Sequence, residues 1–346
     1  MYTESNPLGM LGIDFIEFTS PDPKWLDELW TAFGFSRILQ SEDGKLEAYA
    51  QNDIQILVNQ RDGEFTAEFR KAHGPSCSAM GWRVQDPQRS FDEALKRGAK
   101  SAMDVKRAFG DVPAIYGIGE SLIYFIGPDD AAGGLFKRTL KPHDDPRLVP
   151  EKGFLAVDHL TNNVYKGTMA KWSDFYKDVF GFTEVRYFDI RGAKTGLTSY
   201  ALRSPDGSFC IPINEGTEAA SQIDEYLREY KGPGVQHIAF LTRDLLASLD
   251  TMEGGPIQTL DIDDEYYAEV FDRVPGVREN PARIKHHNVL VDGDEEGYLL
   301  QIFTKNLIGP IFIEMIQREN HLAFGEGNFG ALFRSIERDQ ERRGVL

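Results

Sequence analysis

The sequence is poor in cysteine and has no long apolar run. Its two cysteines, Cys77 and Cys210, both stand in apolar surroundings, so we predict two buried thiols rather than a disulfide scaffold. No stretch of about 18 apolar residues occurs, which argues against a transmembrane helix. The N-terminal segment MYTESNPLGMLGIDF lacks the basic and apolar regions of a signal peptide, so the sequence predicts a cytoplasmic protein.

Positive charge is also scarce. The chain has 38 Lys and Arg residues against 55 Asp and Glu residues, which gives a net charge of −17. Nucleic acids and anionic membranes are bound through basic surfaces, so we predict neither as a partner and expect a small molecule instead. With 346 residues, 41% apolar and 27% charged, the chain is long enough for two globular domains.

The chain contains a weak internal repeat. Residues 11–38 match residues 155–185 in order and spacing: a strand that carries an aspartate, an amphipathic helix, and a Phe-Gly-Phe turn into the next strand. Residues 78–100 match residues 234–255 in the same way, as a strand followed by a helix. Each half therefore reads as two βαβββ units. We predict an α+β fold in which each half forms a curled, barrel-like mixed sheet, followed by a C-terminal helix.

The two halves meet at the segment PDDAAGGLFKRTLKPHDDPRLVPEKG, which is rich in Pro, Gly and charge. Such a composition is typical of a connection between domains. We predict an N-terminal domain over residues 1–135, a linker over 136–153 and a C-terminal domain over 154–346.

Two histidines and a glutamate stand inside short apolar, strand-like runs of the second half: His159 in LAVDHLTNNV, His237 in GVQHIAFLT and Glu314 in IFIEMIQREN. Two imidazoles and one carboxylate that leave other positions open form the facial triad of non-haem Fe(II) oxygenases. The first half has Phe15, roughly Met80 and a residue near Ile123 to Phe125 at the matching points. The sequence therefore predicts one metal site, in the C-terminal domain.

Each of these residues also has a simpler interpretation. A lone strand histidine is more often a hydrogen-bonded core residue than a ligand. Glu314 would avoid the cost of a buried carboxylate by pairing with Arg318 or Lys305. Because the adjacent His286 and His287 would face opposite sides of a strand, they cannot bind one metal together, and we interpret them as structural residues or as support for the ligands. His73 and His143 lie in loop-like polar contexts.

The C-terminal segment HLAFGEGNFGALFRSIERDQERRGVL predicts a terminal helix. Asn328 is a candidate N-cap, and Phe329 and Phe333 form an apolar stripe at helical spacing. Glycines before the helix would let it move as a lid. The alternative is a docked helix that does not move.

Taken together, these motifs resemble the 4-hydroxyphenylpyruvate dioxygenase family of the vicinal oxygen chelate superfamily. VDHLT, GVQHIAF, PINE, SQI, GYLLQIFTK, IFIEMIQR and FGEGNFGALF occur in the order found in that family. The resemblance implies that His159, His237 and Glu314 bind one Fe(II) per chain. It also implies conversion of 4-hydroxyphenylpyruvate and O2 to homogentisate and CO2 in tyrosine catabolism, by a homo-oligomer that is a dimer or a tetramer.

The resemblance extends to the substrate pocket. It implies polar contacts from Ser199, Asn214, Gln222, Gln236 and Gln301, and an aromatic pocket formed by Phe303, Phe312, Phe324 and Phe329. The resemblance also implies catalytic roles for Asn214, Gln301 and Phe329. It places Phe329 on a gating helix over about residues 329–343. One departure is Asn162, where many members have histidine. It affects the surroundings of the metal site rather than the ligand set.

Three other functions compete with this interpretation. 4-Hydroxymandelate synthase shares the fold, metal and substrate but hydroxylates the benzylic carbon. PINE together with LLQIF looks more like the homogentisate-forming branch. An extradiol catechol dioxygenase would use the same triad, but GEGNF and SQI point away from it. A metal-free protein that binds a small aromatic molecule is the remote alternative.

Overall fold

A computed structural model describes residues 2–191, 195–218 and 221–345. Over these residues the chain forms two mixed sheets of eight strands each, one in each half, and helices that pack against them. No helix among the described residues is both long enough and apolar enough to span a bilayer.

The first sheet comes from the N-terminal half. Its strands are β1 Met10–Thr19, β2 Ser36–Gln40, β3 Leu46–Gln51, β4 Ile54–Asn59, β5 Ser76–Val84, β6 Ala114–Tyr116, β7 Leu122–Ile126 and β8 Lys141–Arg147. They lie in the order β6-β7-β5-β1-β4-β3-β2-β8. The helices of this half are α1 Pro23–Ala32, α2 Phe65–His73, α3 Pro87–Lys96 and α4 Gly134–Thr139.

The second sheet comes from the C-terminal half. Its strands are β9 Phe154–Val164, β10 Thr183–Arg191, β11 Gly196–Arg203, β12 Cys210–Gly216, β13 Gly234–Thr242, β14 Leu290–Gly293, β15 Tyr298–Phe303 and β16 Phe312–Glu319. They lie in the order β10-β11-β12-β9-β13-β16-β15-β14. The helices are α5 Met169–Phe175, α6 Gln222–Tyr230, α7 Leu245–Asp250, α8 Asp264–Arg273, α9 Pro281–His286 and α10 Phe329–Arg342.

The two sheets repeat one topology. In the first, β1 pairs antiparallel with β5 and parallel with β4, and β5 pairs parallel with β7. In the second, β9 pairs antiparallel with β13 and parallel with β12, and β13 pairs parallel with β16. The predicted fold class, with its paired units and its C-terminal helix, is confirmed.

The edge strand β8 lies inside the stretch predicted as a linker. It pairs with β2, and side chains hold it: the Gln40 amide donates to Asp144 at 2.6 Å, and His143 Nε2 lies 2.8 Å from Glu47 Oε1. Its sequence, KPHDDPR, has no apolar alternation, and proline is tolerated in a strand only at such an edge. The domain limits at 135 and 154 stay a prediction.

An apolar core continues from one half into the other. Trp82 of the first sheet lies 4.8 Å from Phe180 and 5.6 Å from Phe209, between ring centroids. Phe33 and Phe35 contact Phe240 of the second sheet at 6.0 and 5.6 Å. Burial of rings of this size dominates the stability of such an interface, so the two halves are packed against each other.

Several local predictions were wrong. His286 is the last residue of α9 and His287 follows it, so neither is on a strand. His286 is exposed beside Glu253, whereas the His287 side chain is mostly buried and contacts Asp250. His73 ends α2 instead of lying in a loop, and its ring stacks on Tyr230 at 4.7 Å. The two cysteines are free and buried, as predicted.

Candidate metal centre

The side chains of His159, His237 and Glu314 meet at the concave side of the second sheet. They come from three adjacent strands, β9, β13 and β16. Glu314 Oε2 lies 3.0 Å from His159 Nε2 and 3.3 Å from His237 Nε2, and the two Nε2 atoms are 3.4 Å apart. Donors about 2.1 Å from one ion are separated by roughly 3 to 3.4 Å, so this cluster has the size of a metal site.

The simpler interpretation of Glu314 does not hold. Arg318 pairs with Asp158 instead, and Lys305 bonds to the side chain of Gln258. The partners of the buried Glu314 carboxylate are the two histidines.

A β-bulge precedes each of the two histidines. In β9, Asp158 is an extra residue between the ladder pairs of Val157 and His159. In β13, Gln236 is an extra residue between the pairs of Val235 and His237. Neighbouring side chains in a regular strand point to opposite faces, and a bulge changes that direction. Each bulge therefore brings a polar side chain beside the histidine that follows it.

These two side chains orient the imidazoles. His159 Nδ1 donates to Asp158 Oδ2 at 2.7 Å, and His237 Nδ1 donates to Gln236 Oε1 at 3.0 Å. In the neutral form of each ring, a proton held at Nδ1 leaves the lone pair at Nε2, which faces Glu314. A histidine that ligates a metal commonly donates its other N–H to a carboxylate or carbonyl oxygen in this way.

The electrostatics of the cluster favour a positive charge. Burial lowers the pKa of His159, but the carboxylates of Glu314 and Asp158 outweigh it and raise that pKa to about 9. Burial raises the pKa of Glu314, but the histidines outweigh it and lower that pKa to about 2. Burial and the nearby His159 lower the pKa of His237. The cluster is thus suited to hold positive charge, either as a proton on His159 or as a divalent cation bound by all three side chains.

The matching positions of the first sheet hold no ligand set. The register aligns His159 with Phe15, His237 with Ala79 and Glu314 with Tyr124. The sequence comparison had placed Met80 opposite His237, which is wrong by one residue, because Ser78 occupies a bulge in β5 that mirrors the one at Gln236. Phe15 and Tyr124 instead pack in an aromatic cluster with Phe109 and Phe136, which fills the concave side.

A cavity opens in front of the three side chains. Of the nine residues predicted to bind substrate, all except Gln301 line it: Ser199, Asn214, Gln222, Gln236, Phe303, Phe312, Phe324 and Phe329. Among the described residues of its wall, the ionisable groups are the two histidines and Glu314.

Gln301 is not among the residues that line the cavity. It is buried, and neither atom of its amide has a hydrogen-bond partner within the described parts of the chain. The amide lies against Gly325, in the segment that leads to α10. Its contact with substrate stays a prediction.

The family model described as "Hydroxyphenylpyruvate dioxygenase, HPPD, N-terminal" matches residues 4–137, and that of the "Glyoxalase/Bleomycin resistance protein/Dioxygenase superfamily" matches residues 156–300. Protein MelA of Shewanella colwelliana is 60% identical over 100% of both chains. The 4-hydroxyphenylpyruvate dioxygenases of Legionella pneumophila and Pseudomonas aeruginosa are each 40% identical over 99% of this chain and 98% of theirs.

The chain belongs to the 4-hydroxyphenylpyruvate dioxygenase family. It is therefore an oxidoreductase of the dioxygenase class on a vicinal oxygen chelate fold, as the resemblance implied. A solved structure of a 4-hydroxymandelate synthase mutant from Streptomyces coelicolor has a TM-score of 0.80 over 96% of this chain and 99% of that one. Since the two are 23% identical, this likeness shows the fold alone.

In this dioxygenase, the C-terminal helix α10 covers the cavity. Phe329 begins the helix and lies 5.3 Å from Phe188 of β10, between ring centroids. Asn328 does not cap it with its side chain, contrary to the prediction. Its amide oxygen accepts from the Tyr266 hydroxyl at 2.7 Å and from Arg273 at 3.2 Å. The N-terminal end of the helix is thus tied to α8.

Sequence reasoning missed part of the wall of this family's pocket. The missed residues are Thr161, Phe188, Ile190, Leu197, Pro212, Leu332, Phe333 and Ile336. Two signals were available: Thr161 lies two residues after His159, on the same face of the strand, and Leu332 and Ile336 follow Phe329 at helical spacing. The Thr161 hydroxyl lies 3.1 Å from His237 Nε2. The Asn162 side chain donates to the Leu160 carbonyl.

Proposed function

We propose that this protein is an Fe(II) dioxygenase that converts 4-hydroxyphenylpyruvate and O2 to homogentisate and CO2 in tyrosine catabolism. The observation that carries the proposal is a cavity with uncharged polar and aromatic walls that ends at a buried His-His-Glu cluster. Relatives named 4-hydroxyphenylpyruvate dioxygenase, which are 40% identical over 99% of this chain, support the same substrate.

In this proposal His159, His237 and Glu314 hold one Fe(II) per chain. Two neutral imidazoles and one carboxylate suit that ion, and they cover one side of it. Bound there, iron would supply the activation of O2 that no amino-acid side chain provides.

The cavity wall also suggests how the substrate is oriented. A 2-oxo acid is an anion, yet no lysine or arginine is among the described residues of the wall. The positive charge that attracts its carboxylate would then be the metal, so we propose that the 2-oxo acid end lies toward the His-His-Glu cluster. The aromatic ring points away from it.

Neutral groups remain for the ring and its hydroxyl. Ser199 and Asn214 are ladder partners on β11 and β12, and Asn214 Nδ2 lies 3.4 Å from Gln236 Oε1. Together with Gln222 and Gln301, these residues are our candidates for hydrogen bonds to the substrate. Such groups fix an orientation without adding a charge that would have to be desolvated.

The phenylalanines give the cavity its apolar surface. Phe312 stacks on the His237 ring at 4.7 Å, and Phe324 meets the His159 ring edge to face at 5.8 Å. We propose that they fix the ligand rings and, with Phe303, contact the substrate ring. Phe329 on α10 would exclude water from the site during the reaction.

The metal and the product distribution are tested together. Metal-free chain is loaded anaerobically with Fe(II), 4-hydroxyphenylpyruvate is added, and O2 uptake and products are followed after an air pulse. Homogentisate with about one CO2 per O2 is expected. Hydroxymandelate would overturn the homogentisate assignment and favour the synthase reaction. No O2 uptake despite bound iron would overturn the assignment of 4-hydroxyphenylpyruvate as the substrate.

Two further parts of the proposal concern the whole protein. We propose that it acts in the cytoplasm as a dimer or tetramer, with an N-terminal non-catalytic domain over 1–135, a linker over 136–153 and a catalytic domain over 154–346. Sedimentation velocity of the purified chain measures its assembly.

A further inference from the structure

We propose that Arg318 is a positioning residue that couples the segment leading into α10 to the candidate metal ligand His159, through Asp158. The inference rests on the proposed metal centre and goes beyond it, since it links the order of the C-terminal helix to the strength of metal binding.

The first part of this link is an ion pair behind His159. Arg318 on β16 donates from Nε to Asp158 Oδ1 at 2.7 Å and from Nη2 to Asp158 Oδ2 at 2.8 Å. The same Oδ2 accepts from His159 Nδ1 at 2.7 Å. Both side chains of the pair are 13% exposed. A two-point contact of this kind fixes the plane of the carboxylate, so the position of Arg318 sets the direction in which the His159 ring is held.

The second part of the link reaches forward along the chain. Arg318 Nη1 donates to the carbonyl oxygens of His321 at 2.9 Å and Ala323 at 2.7 Å. These residues immediately precede Phe324, whose ring contacts that of His159. Gly325 and the turn Glu326–Asn328 then lead into α10. The Arg318 guanidinium therefore holds both the Asp158 carboxylate, which orients His159, and the start of the C-terminal segment.

A change at either end has a consequence at the other. If the segment moves, the two carbonyl oxygens leave Nη1, and the guanidinium is no longer fixed against Asp158. If a metal fixes His159, then Asp158, Arg318 and the two carbonyls are fixed with it. Linkage requires that the two effects be equal in size.

The first half of the chain provides a matched comparison. Asp14 occupies the bulge of β1 that mirrors Asp158, and it also pairs with an arginine, Arg83, at 2.8 Å. The residue that follows is Phe15 instead of a histidine. The other two guanidinium nitrogens of Arg83 donate to the Asp53 carboxylate. An Asp–Arg pair at the bulge is thus common to both halves, whereas the link to a ligand and to α10 belongs to the second.

The test uses Co(II) as a probe for the full, metal-stripped chain. Co(II) affinity is measured from its visible absorption. Hydrogen exchange of the α10 amides is measured with and without saturating Co(II). In the wild type, Co(II) should slow exchange in α10. Arg318→Lys keeps the charge but cannot hold both carboxylate oxygens and both carbonyls. It should weaken Co(II) binding by roughly 10- to 100-fold and abolish the metal-dependent protection even at saturation.

Arg83→Lys is the matched control and should change neither quantity. If Arg318→Lys does not fold, the double variant Asp158→Asn/Arg318→Gln, which leaves no unpaired buried charge, should show the same two losses. Full metal-dependent protection of α10 in a folded Arg318 variant would overturn the coupling. The same holds for a wild type that binds Co(II) without protecting α10. A wild type that binds no Co(II) would overturn the metal centre itself.

Discussion

Gly325 stands where the segment before α10 touches the wall of the site, and replacing it tests how closely the two are fitted. Its φ of +80° is in the left-handed region, and a Cβ there would lie 2.4 Å from Gln301 Oε1 and 2.6 Å from Gln301 Nε2. Gly325→Ala should therefore cost stability twice: once through the backbone and once by displacing a buried amide.

The two costs can be separated with a control in the same half of the chain. Gly207 has a φ of +79°, and a Cβ there would meet no atom within 4 Å. A left-handed non-glycine residue costs about 1–2 kcal/mol, partly offset by the smaller entropy of the unfolded chain, so Gly207→Ala should lose about 1 kcal/mol. Gly325→Ala should lose about 2 kcal/mol, because moving Gln301 off its rotamer adds about 1 kcal/mol.

The assay compares free energies of unfolding and the KM for 4-hydroxyphenylpyruvate. Gly325→Ala alone should raise KM, because it displaces an amide that we propose contacts the substrate. In the background of Gln301→Ala, the added stability cost should vanish. Equal losses for Gly207→Ala and Gly325→Ala, with KM unchanged in both, would refute the reasoning.

Three further predictions concern the metal centre and its lid. Glu314→Gln should abolish Fe(II) binding and turnover while the circular dichroism spectrum stays unchanged; bound iron in this variant would contradict the proposed ligand set. In metal-free chain, His159 should contribute about 3 kcal/mol of stability, because its pKa is raised from 6.5 to about 9. This contribution is complete below about pH 6.5 and is lost as the pH rises through about 9. The free energy of unfolding, measured against pH for the wild type and for His159→Gln, should show this loss only in the wild type. Parallel pH profiles of the two proteins would disprove it. Phe329→Ala should lower turnover and let O2 be consumed without product, as paired O2 and homogentisate assays would reveal; tight coupling in this variant would exclude the lid role.

Sequence patterns were enough to predict the fold class and to single out the three side chains that meet in the His-His-Glu cluster. His159, His237 and Glu314 stand out because polar side chains are rare in apolar strands. The repeat showed that only one half has them. Both signals come from the order and spacing of residue types along the chain, which is why they could be read without a structure.

Features that depend on strand register could not be predicted in this way. Only the strand pairing shows that Ser78 matches Gln236, so that Ala79 rather than Met80 matches His237. Phe188 lies between Tyr187 and Asp189 on β10, and this sequence context does not show that it lines the cavity. β8 has no apolar pattern and exists because side chains of β2 and β3 bind it. Each of these depends on contacts between distant parts of the chain.

The bulges occur in both sheets, although only one sheet carries the cluster that they orient. The backbone that directs such side chains therefore forms without the cluster. The N-terminal sheet could therefore serve as a scaffold for a second, designed His-His-Glu site. Histidines in place of Phe15 and Ala79 and a glutamate in place of Tyr124 would stand at the three matching positions, with Asp14 and Ser78 already on the bulges beside them. Removing the two large rings would also open the space that a substrate needs.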